Sequence, residues 1–544
     1  MRKLWIVLLA LVLFTAAGCG EEKPGGGDYL PVMLERSVIS LDNDYIMDTT
    51  SMEVLGNCVE GLLRQDRNDK IIPALADSYD ISEDGKIYTF HLRDAKWSNG
   101  DDVTAEDFVF AWRRVCADAN EYAYMFSDIG RVKNAAAIIS RKAAPVTLGV
   151  SAPDSKTLVV ELEEPVPFFL SLMPLHIFYP VNEKFFSSLA ARTYATTPET
   201  FLSNSAFTLE DYKPGAANIR LRKNKNYWDA ASVHLDGLAY QVVTSPDDAL
   251  TAFKNGTLKL VKIDGDHAKN IRDDESLAKN LRTVNVGHMN FLVFNTRNEN
   301  LANQNLRLAI THAVDRETLV NDYVMDGSQP AYTAVRPNFA FNRYNDEDFS
   351  ADQNKFAEYV GYDVKKARGY LDLAKAELGA KTFELGLLYS NDAGTTLVKV
   401  AQALKAQLEA NLPGVTINLQ PMTTAERLDK SKKQRFDIVL DAWRPDYADP
   451  TTYLTLWQTG NANNFGLWSN ARYDEIISDC MSGDYWNYDD YWAALHEAEG
   501  IVMREAAIAP LYFVNQTILL ADGVRGIEFH ALNLPRVFKF ATIK

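Results

Sequence analysis

Between residues 383 and 419 the chain passes from strand to helix to strand. Phe383-Glu384-Leu385-Gly386-Leu387-Leu388 reads as the first strand, residues 395–412 as a long helix, and residues 415–419 as the second strand. A strand, a crossing helix and another strand in this order form a βαβ unit, and such units build parallel sheets with helices on their faces. Other segments carry the same mixture. Ile87-Tyr88-Thr89-Phe90-His91-Leu92 alternates with the period of a half-buried strand. Thr104-Ala105-Glu106-Asp107 opens a helix, with Thr104 as its cap and acids at its positive end. Phe108, Ala111, Trp112 and Val115 then fall on one helical face. Residues 219–222, 291–294 and 436–440 read as strands, and residues 305–314 and 364–378 as helices. The fold class is α/β.

A chain of 544 residues is too long for one ordinary domain, and at roughly 150 residues per domain it predicts three or four units. Apolar residues make up 47 % and charged residues 24 %, the usage of a globular protein rather than a disordered or multi-pass membrane chain. The formal net charge of −17 argues against a nucleic-acid partner, because phosphates reward a basic surface. Four Cys are too few for a disulfide scaffold. Cys58, Cys116 and Cys480 lie far apart and form no CxxC, so the expectation is either one disulfide and a free thiol or three buried thiols.

The N-terminus reads as an export signal over residues 1–18. Met1-Arg2-Lys3 is basic, residues 4–17 are apolar except for Thr15, and Gly18-Cys19 follows. The apolar run is shorter than the roughly 20 residues that a membrane span requires. Ala16-Ala17-Gly18-Cys19 resembles a bacterial lipobox, with Ala16 where Leu is usual, and predicts a lipid on Cys19. Residues 19–27 then form a flexible, glycine-rich tether. The domain is expected outside the cytoplasm, lipid-anchored at the outer face of the cytoplasmic membrane or in the periplasm.

A search for enzyme signatures returns none. No HExxH is present, and His496-Glu497 is followed by Ala-Glu-Gly, so a second zinc ligand is missing. The GxSxG elbow and the phosphate-cradling P-loop are absent as well. The eight scattered His read as satisfied core or surface groups. No catalytic residue, metal or cofactor is expected.

One loop holds more chemistry than its neighbours. Residues 440–450 (LDAWRPDYADP) follow a strand and pack three acids among Trp443, Arg444, Tyr447 and two prolines. The prolines stiffen the loop and stop the strand. A rigid carboxylate beside Trp and Tyr suits an ammonium ligand, through charge pairing and ring-face attraction. A surface turn with capping Asp residues is the plainer reading of the same segment.

Several blocks, in order along the chain, carry a family resemblance. They are Ser40-Leu41-Asp42, Val59-Glu60-Gly61-Leu62-Leu63, residues 89–114 (TFHLRDAKWSNGDDVTAEDFVFAWRR), Asn224-Lys225-Asn226-Tyr227-Trp228-Asp229, Phe294-Asn295-Thr296, Ala313-Val314-Asp315-Arg316 and Ala509-Pro510-Leu511-Tyr512-Phe513. Together they resemble the extracytoplasmic oligopeptide-binding proteins of ABC importers, a solute-binding family that includes dipeptide, nickel and murein-peptide binders. The resemblance implies a two-lobed, periplasmic-binding-protein-like fold with a hinge of two crossing segments and an extra α/β domain in one lobe. Domain I would comprise residues 28–60, 183–289 and 510–544, domain II residues 61–182, and domain III residues 290–509.

The resemblance also implies site residues. In peptide-binding members the Asp of a Trp-x-x-Asp-Tyr loop receives the ligand's α-amino group; here that is Asp446, with Trp443 beside it. Glu121-Tyr122-Ala123 matches a domain II loop whose Tyr faces the ligand, which makes Tyr122 the candidate and Tyr124 the alternative. Met47 and Thr49 fall in the segment, residues 47–50, whose backbone pairs with the ligand as a neighbouring strand. Two departures concern the ligand's carboxyl end. Some members place an Arg three residues before the loop Trp, where this chain has Leu440, and some use a His after Leu-Leu-Tyr, where the Tyr389 loop carries Gly394 and Thr395. Arg444 is the cation left in the loop. The implied function is capture of an oligopeptide by a monomer and its delivery to an ABC permease. A non-peptide solute on the same scaffold (a nickel chelate, opine or oligosaccharide) and a peptide-sensing surface role are the alternatives.

Overall fold

The computed structural model describes residues 28–342, 344–483, 487–532 and 534–544; the segments read as export signal and tether, with Cys19, lie outside them. Among the described residues no helix is long and apolar enough to cross a membrane.

The strands Phe383–Ser390 and Val415–Met422 run parallel in unbroken register, Phe383 opposite Val415 and Ser390 opposite Met422, with the helix Thr395–Asn411 between them. That helix buries Val400, Ala401, Leu404 and Leu408 in one core with Leu385, Leu387 and Ile417. Each fully buried side chain of Val or Leu size contributes about 1.5–3 kcal/mol. The helix expected after Thr104 spans Ala105–Asp118 and is closed by a capping box of Thr104 and Asp107. Asp107 accepts from the Thr104 N–H at 3.0 Å and from the Trp97 indole at 2.9 Å. Burial pushes its carboxyl up to about 6. Phe108, Ala111, Trp112 and Val115 are all fully buried. A four-stranded antiparallel sheet, Ala76–Ile81, Ile87–Leu92, Thr157–Glu161 and Val150–Asp154 in spatial order, belongs to the same unit.

The large sheet serves both lobes. Val415–Met422, Phe383–Ser390 and Ile438–Trp443 lie on one side; Leu260–Ile263, Tyr29–Leu34, Gly237–Val242, Asn218–Lys223 and Phe207–Asp211 lie on the other. Two long strands stand between, Leu281–Phe294 and Ile508–Leu520, paired antiparallel with each other. Each has an outer partner over part of its length. The first pairs with Ile438–Trp443 from Met289 to Phe294, and the second with Leu260–Ile263 from Thr517 to Leu520. These shared strands are the hinge of a two-lobed α/β fold.

Their mutual ladder breaks between Asn285 and Met289. Gly287 sits in that gap with φ +73°, where a Cβ would approach the Ala531 carbonyl to 2.9 Å and Pro445 Cγ to 3.1 Å. Backbone and space both ask for glycine there, as at many bulges. Of the two expectations for the thiols, the buried one holds: Cys58, Cys116 and Cys480 are buried and free.

Candidate functional site

The strand Ile438–Trp443 delivers the proline-stiffened loop to the junction of the lobes. At the strand's end Asp441 is ion-paired with Arg427 at 2.7 Å. In the loop the Tyr447 ring stacks on Phe168 at 5.0 Å and 13°. Asp449 accepts from the Thr451 N–H at 2.9 Å, the Thr451 hydroxyl at 2.6 Å and the Tyr491 hydroxyl at 2.7 Å. The capping-turn reading therefore describes Asp449.

Asp446 has a different setting. Its backbone N–H donates to Thr452 Oγ1 at 3.0 Å, which fixes the main chain, while its carboxylate accepts from the Tyr124 hydroxyl at 3.1 Å. Burial pushes the Asp446 carboxyl up, against the Tyr124 hydrogen bond and the charge of Arg444, which both lower it. A desolvated carboxylate hydrogen-bonded by a neutral phenol keeps acceptor capacity for a cation, although Arg444 already lends it part of a countercharge.

A cavity of about 170 Å³ opens beside it, lined by Met47, Thr49, Met52, Tyr122, Leu175, His176, Arg444, Pro445 and Asp446. Five sequence candidates, Met47, Thr49, Tyr122, Arg444 and Asp446, thus share one wall. Trp443 does not reach it; it is half-buried at the strand end, its indole N–H without a partner among the described residues. The two tyrosines divide the expected role: Tyr122 lines the cavity and Tyr124 bonds to Asp446, their rings stacked at 6.5 Å and 18°. Both follow the helix Ala105–Asp118 and precede a π-helical turn, Met125–Ile129.

Two differences from the sequence reading stand out. Residues 49–50 open the helix Thr49–Cys58 and are not extended, because Asp48 accepts from the Ser51 N–H at 2.9 Å and caps it. Ile46 and Met47, just before that cap, lie outside any helix or strand. His176, grouped in sequence with scattered histidines, is 4 % exposed on the cavity wall, edge-on to Tyr122 at 5.2 Å and beside the Ile46 backbone. Burial pushes it down to about 4, so it stays neutral. Nothing in its local sequence marks it; only the fold brings it to Tyr122. Among the described residues no group of three or more His, Cys, Asp or Glu is arranged to hold a metal ion.

Two α/β lobes on a pair of shared strands, with a walled cavity at their junction, define an extracytoplasmic solute-binding protein. The chain belongs to the bacterial extracellular solute-binding proteins, family 5: the model described as "Bacterial extracellular solute-binding proteins, family 5 Middle" matches residues 70–465. It is similar to the dipeptide-binding protein DppE of Bacillus subtilis, 31 % identical over 97 % of each chain. Among solved structures it resembles the substrate-binding domain of an oligopeptide ABC transporter from Bacillus anthracis, at 34 % identity and TM-score 0.73, covering 96 % of this chain and 99 % of that one. Listeria monocytogenes OppA bound to peptide gives 29 % identity and TM-score 0.72, covering 96 % and 100 %.

Proposed function

We propose that this chain is the binding component of a peptide ABC importer, which encloses a peptide between its lobes and passes it to a membrane permease. The observation that carries the reading is Asp446, a desolvated carboxylate on the cavity wall whose hydrogen-bond partner, Tyr124, is neutral. The peptide's ammonium loses its water when the lobes close, and Asp446 replaces that hydration with a charge-assisted hydrogen bond. The peptide backbone pairs with the main chain at Ile46 and Met47, which lies outside any helix or strand, as an added strand, which gives affinity without reading side chains. The cavity, at about 170 Å³, falls short of the roughly 300–1,000 Å³ of a ligand pocket, so the lobes must part and reclose around the guest. The names of the relatives, a dipeptide-binding protein and an OppA bound to peptide, support the same ligand class. The protein acts as a monomer, tethered to the membrane by a lipid on Cys19, and performs no chemistry on its ligand.

The direct test is mass spectrometry of ligand released from natively purified protein, followed by calorimetry with alanine peptides of increasing length. Recovery and binding of peptides are expected. Release of a metal chelate or sugar, with no heat from any peptide, overturns the reading.

A further inference from the structure

We infer that two crossed ion pairs, Lys70–Asp346 and Lys399–Asp266, clasp the lobes together, so that closure of the cleft is set partly by charge outside the ligand cavity and loosens as salt rises. The lobe built on Tyr29–Leu34 and Leu260–Ile263 supplies Lys70 and Asp266. The lobe built on Phe383–Ser390 and Val415–Met422 supplies Asp346 and Lys399. Each lobe thus gives one cation and one anion, and only an aligned closure satisfies both pairs.

Lys399 stands on the helix Thr395–Asn411 and reaches both carboxylate oxygens of Asp266, at 2.9 and 2.7 Å. Asp266 lies in the first turn of the helix Gly265–Arg272, which follows the strand Leu260–Ile263. A Cβ on Gly265 would collide with the Val324 carbonyl, so this helix end is pressed onto the backbone of the opposite lobe and Asp266 is held at the junction. Lys70 meets Asp346 at 2.7 Å. It ends the turn between the strands Leu63–Gln65 and Ile71–Pro73, where its neighbour Asp69 is held by His530 at 2.7 Å. Asp346 sits between Phe341 and Asp348, which bridge to each other, and its N–H donates to the Asn342 carbonyl at 2.8 Å.

Both Lys70 and Asp346 line a cavity of about 470 Å³, with Ile72, Ile81 and Phe168 on one side and Phe339 and Phe341 on the other. The lobes stand apart there, and charge rather than packing spans the gap at its rim. None of the four charged groups lines the cavity that holds Asp446, so the clasp acts independently of what the cleft encloses. The four are partly exposed, Lys70 and Asp346 at 36 % and 65 %, Lys399 and Asp266 at 37 % and 54 %. Both pairs therefore feel dissolved salt, whose screening length falls from about 30 Å at 0.01 M to about 3 Å at 1 M. An exposed pair shifts an equilibrium by about 1.4- to 5-fold. That is too little to lock the lobes and enough to set how often they part.

The test starts with full-length wild-type protein and a carbodiimide, which joins an amine to a carboxylate it touches, followed by mass-spectrometric mapping. Links Lys70–Asp346 and Lys399–Asp266 are expected beside those of the within-lobe pairs Lys96–Asp102 and Lys133–Glu161, both at 2.7 Å. Lys399→Glu should lower the yield of the Lys70–Asp346 link by up to about fivefold and leave the within-lobe links unchanged; adding Asp266→Lys should restore it. Small-angle scattering gives the second readout. The wild-type radius of gyration should grow between about 0.01 M and 1 M salt, and Lys70→Glu with Lys399→Glu should be expanded at both. Thermal melting checks that each variant folds, and the wild-type salt series needs no variant. If the Lys70–Asp346 link is indifferent to Lys399→Glu, or the wild-type radius to salt, the pairs are isolated surface contacts and the clasp is wrong. Neither readout uses a peptide, so its failure leaves the reading of the ligand standing.

Discussion

Tyr124 and Asp446 stand 322 residues apart in sequence and are joined by a 3.1 Å hydrogen bond from the phenol to the carboxylate. Burial, the Asp446 charge and the hydrogen bond itself push the Tyr124 phenol far above its ordinary range, so it donates throughout the working pH range. The pair holds the carboxylate in position without neutralising it, and an arriving ammonium finds an acceptor with lone pairs to spare.

Asp446→Ala should weaken binding of a free-amine peptide by about 30-fold to several-thousand-fold, the range for removing one member of a buried charge pair at about 2–5 kcal/mol. N-acetylation of the peptide should do comparable damage in the wild type and add little in the variant. Calorimetry on the four combinations measures the coupling. Equal affinity of acetylated and free peptide for the wild type removes Asp446 as the amine anchor.

Acidity should weaken binding sooner than an ordinary Asp would allow. Amine capture needs the carboxylate, and burial raises the Asp446 pKa in the unliganded protein, so affinity falls as pH drops through that raised value. Tyr124→Phe removes one of the two influences that lower it, so the midpoint of this loss should move to higher pH. Titrations of peptide binding between pH 4 and 8 on both proteins check the direction; a downward shift in the variant contradicts the assignment.

Arg114 lies between two buried acids, ion-paired with Asp42 and, at 2.8 Å, with Asp44, under the rings of Phe186 and Tyr194. One guanidinium cannot neutralise both carboxylates. Burial accordingly pushes Asp44 up to about 7, despite Arg114. Arg114→Met should cost about 3–5 kcal/mol, as for breaking a buried pair, and appear as a large fall in melting temperature. Because the folded-state value of Asp44 lies above its unfolded one, the folded form binds the proton more tightly. Stability relative to Asp44→Asn should therefore rise as pH falls from about 7 towards 4. A flat difference between the two melting curves across that window would falsify the account.

Gly287→Ala should destabilise the fold by at least about 1–2 kcal/mol from its left-handed backbone alone, with added strain against Ala531 and Pro445. Gly287→Val should cost more, since branching at Cβ worsens both contacts. The readouts are chemical denaturation and peptide affinity together. Unchanged values for both would remove Gly287 as a hinge constraint.

Cys19→Ser should release the protein from the membrane fraction while leaving its melting temperature unchanged. Metabolic labelling with a fatty acid, followed by fractionation, tests it; a wild-type protein that never takes up label is simply secreted.

Local periodicity carried most of the elements. The βαβ unit from Phe383 to Met422 is visible because strand and helix each advertise their own repeat. The loop of residues 440–450 stood out because it concentrates acids, rings and prolines after a strand, whereas Asp446 within it was singled out only by the family resemblance. The pairing of Leu281–Phe294 with Ile508–Leu520 was not, since no local pattern names a partner more than two hundred positions away. Tyr122 and Tyr124 flank Ala123 ahead of a π-helical turn, where no period decides which ring turns where. The helix at Thr49 was legible in principle: Asp48 followed by Thr49, Thr50 and Ser51 is a capping sequence, and the strand-like expectation for that segment overrode it.

The two shared hinge strands bear on how such a molecule can move. Two tethers bonded side by side resist twisting and sliding, because either motion shears the ladder between them. Bending across the strands spares most of those bonds, and the interruption at Gly287 is where such a bend meets least resistance. The lobes thus keep one easy degree of freedom, and every guest must be met along the same arc.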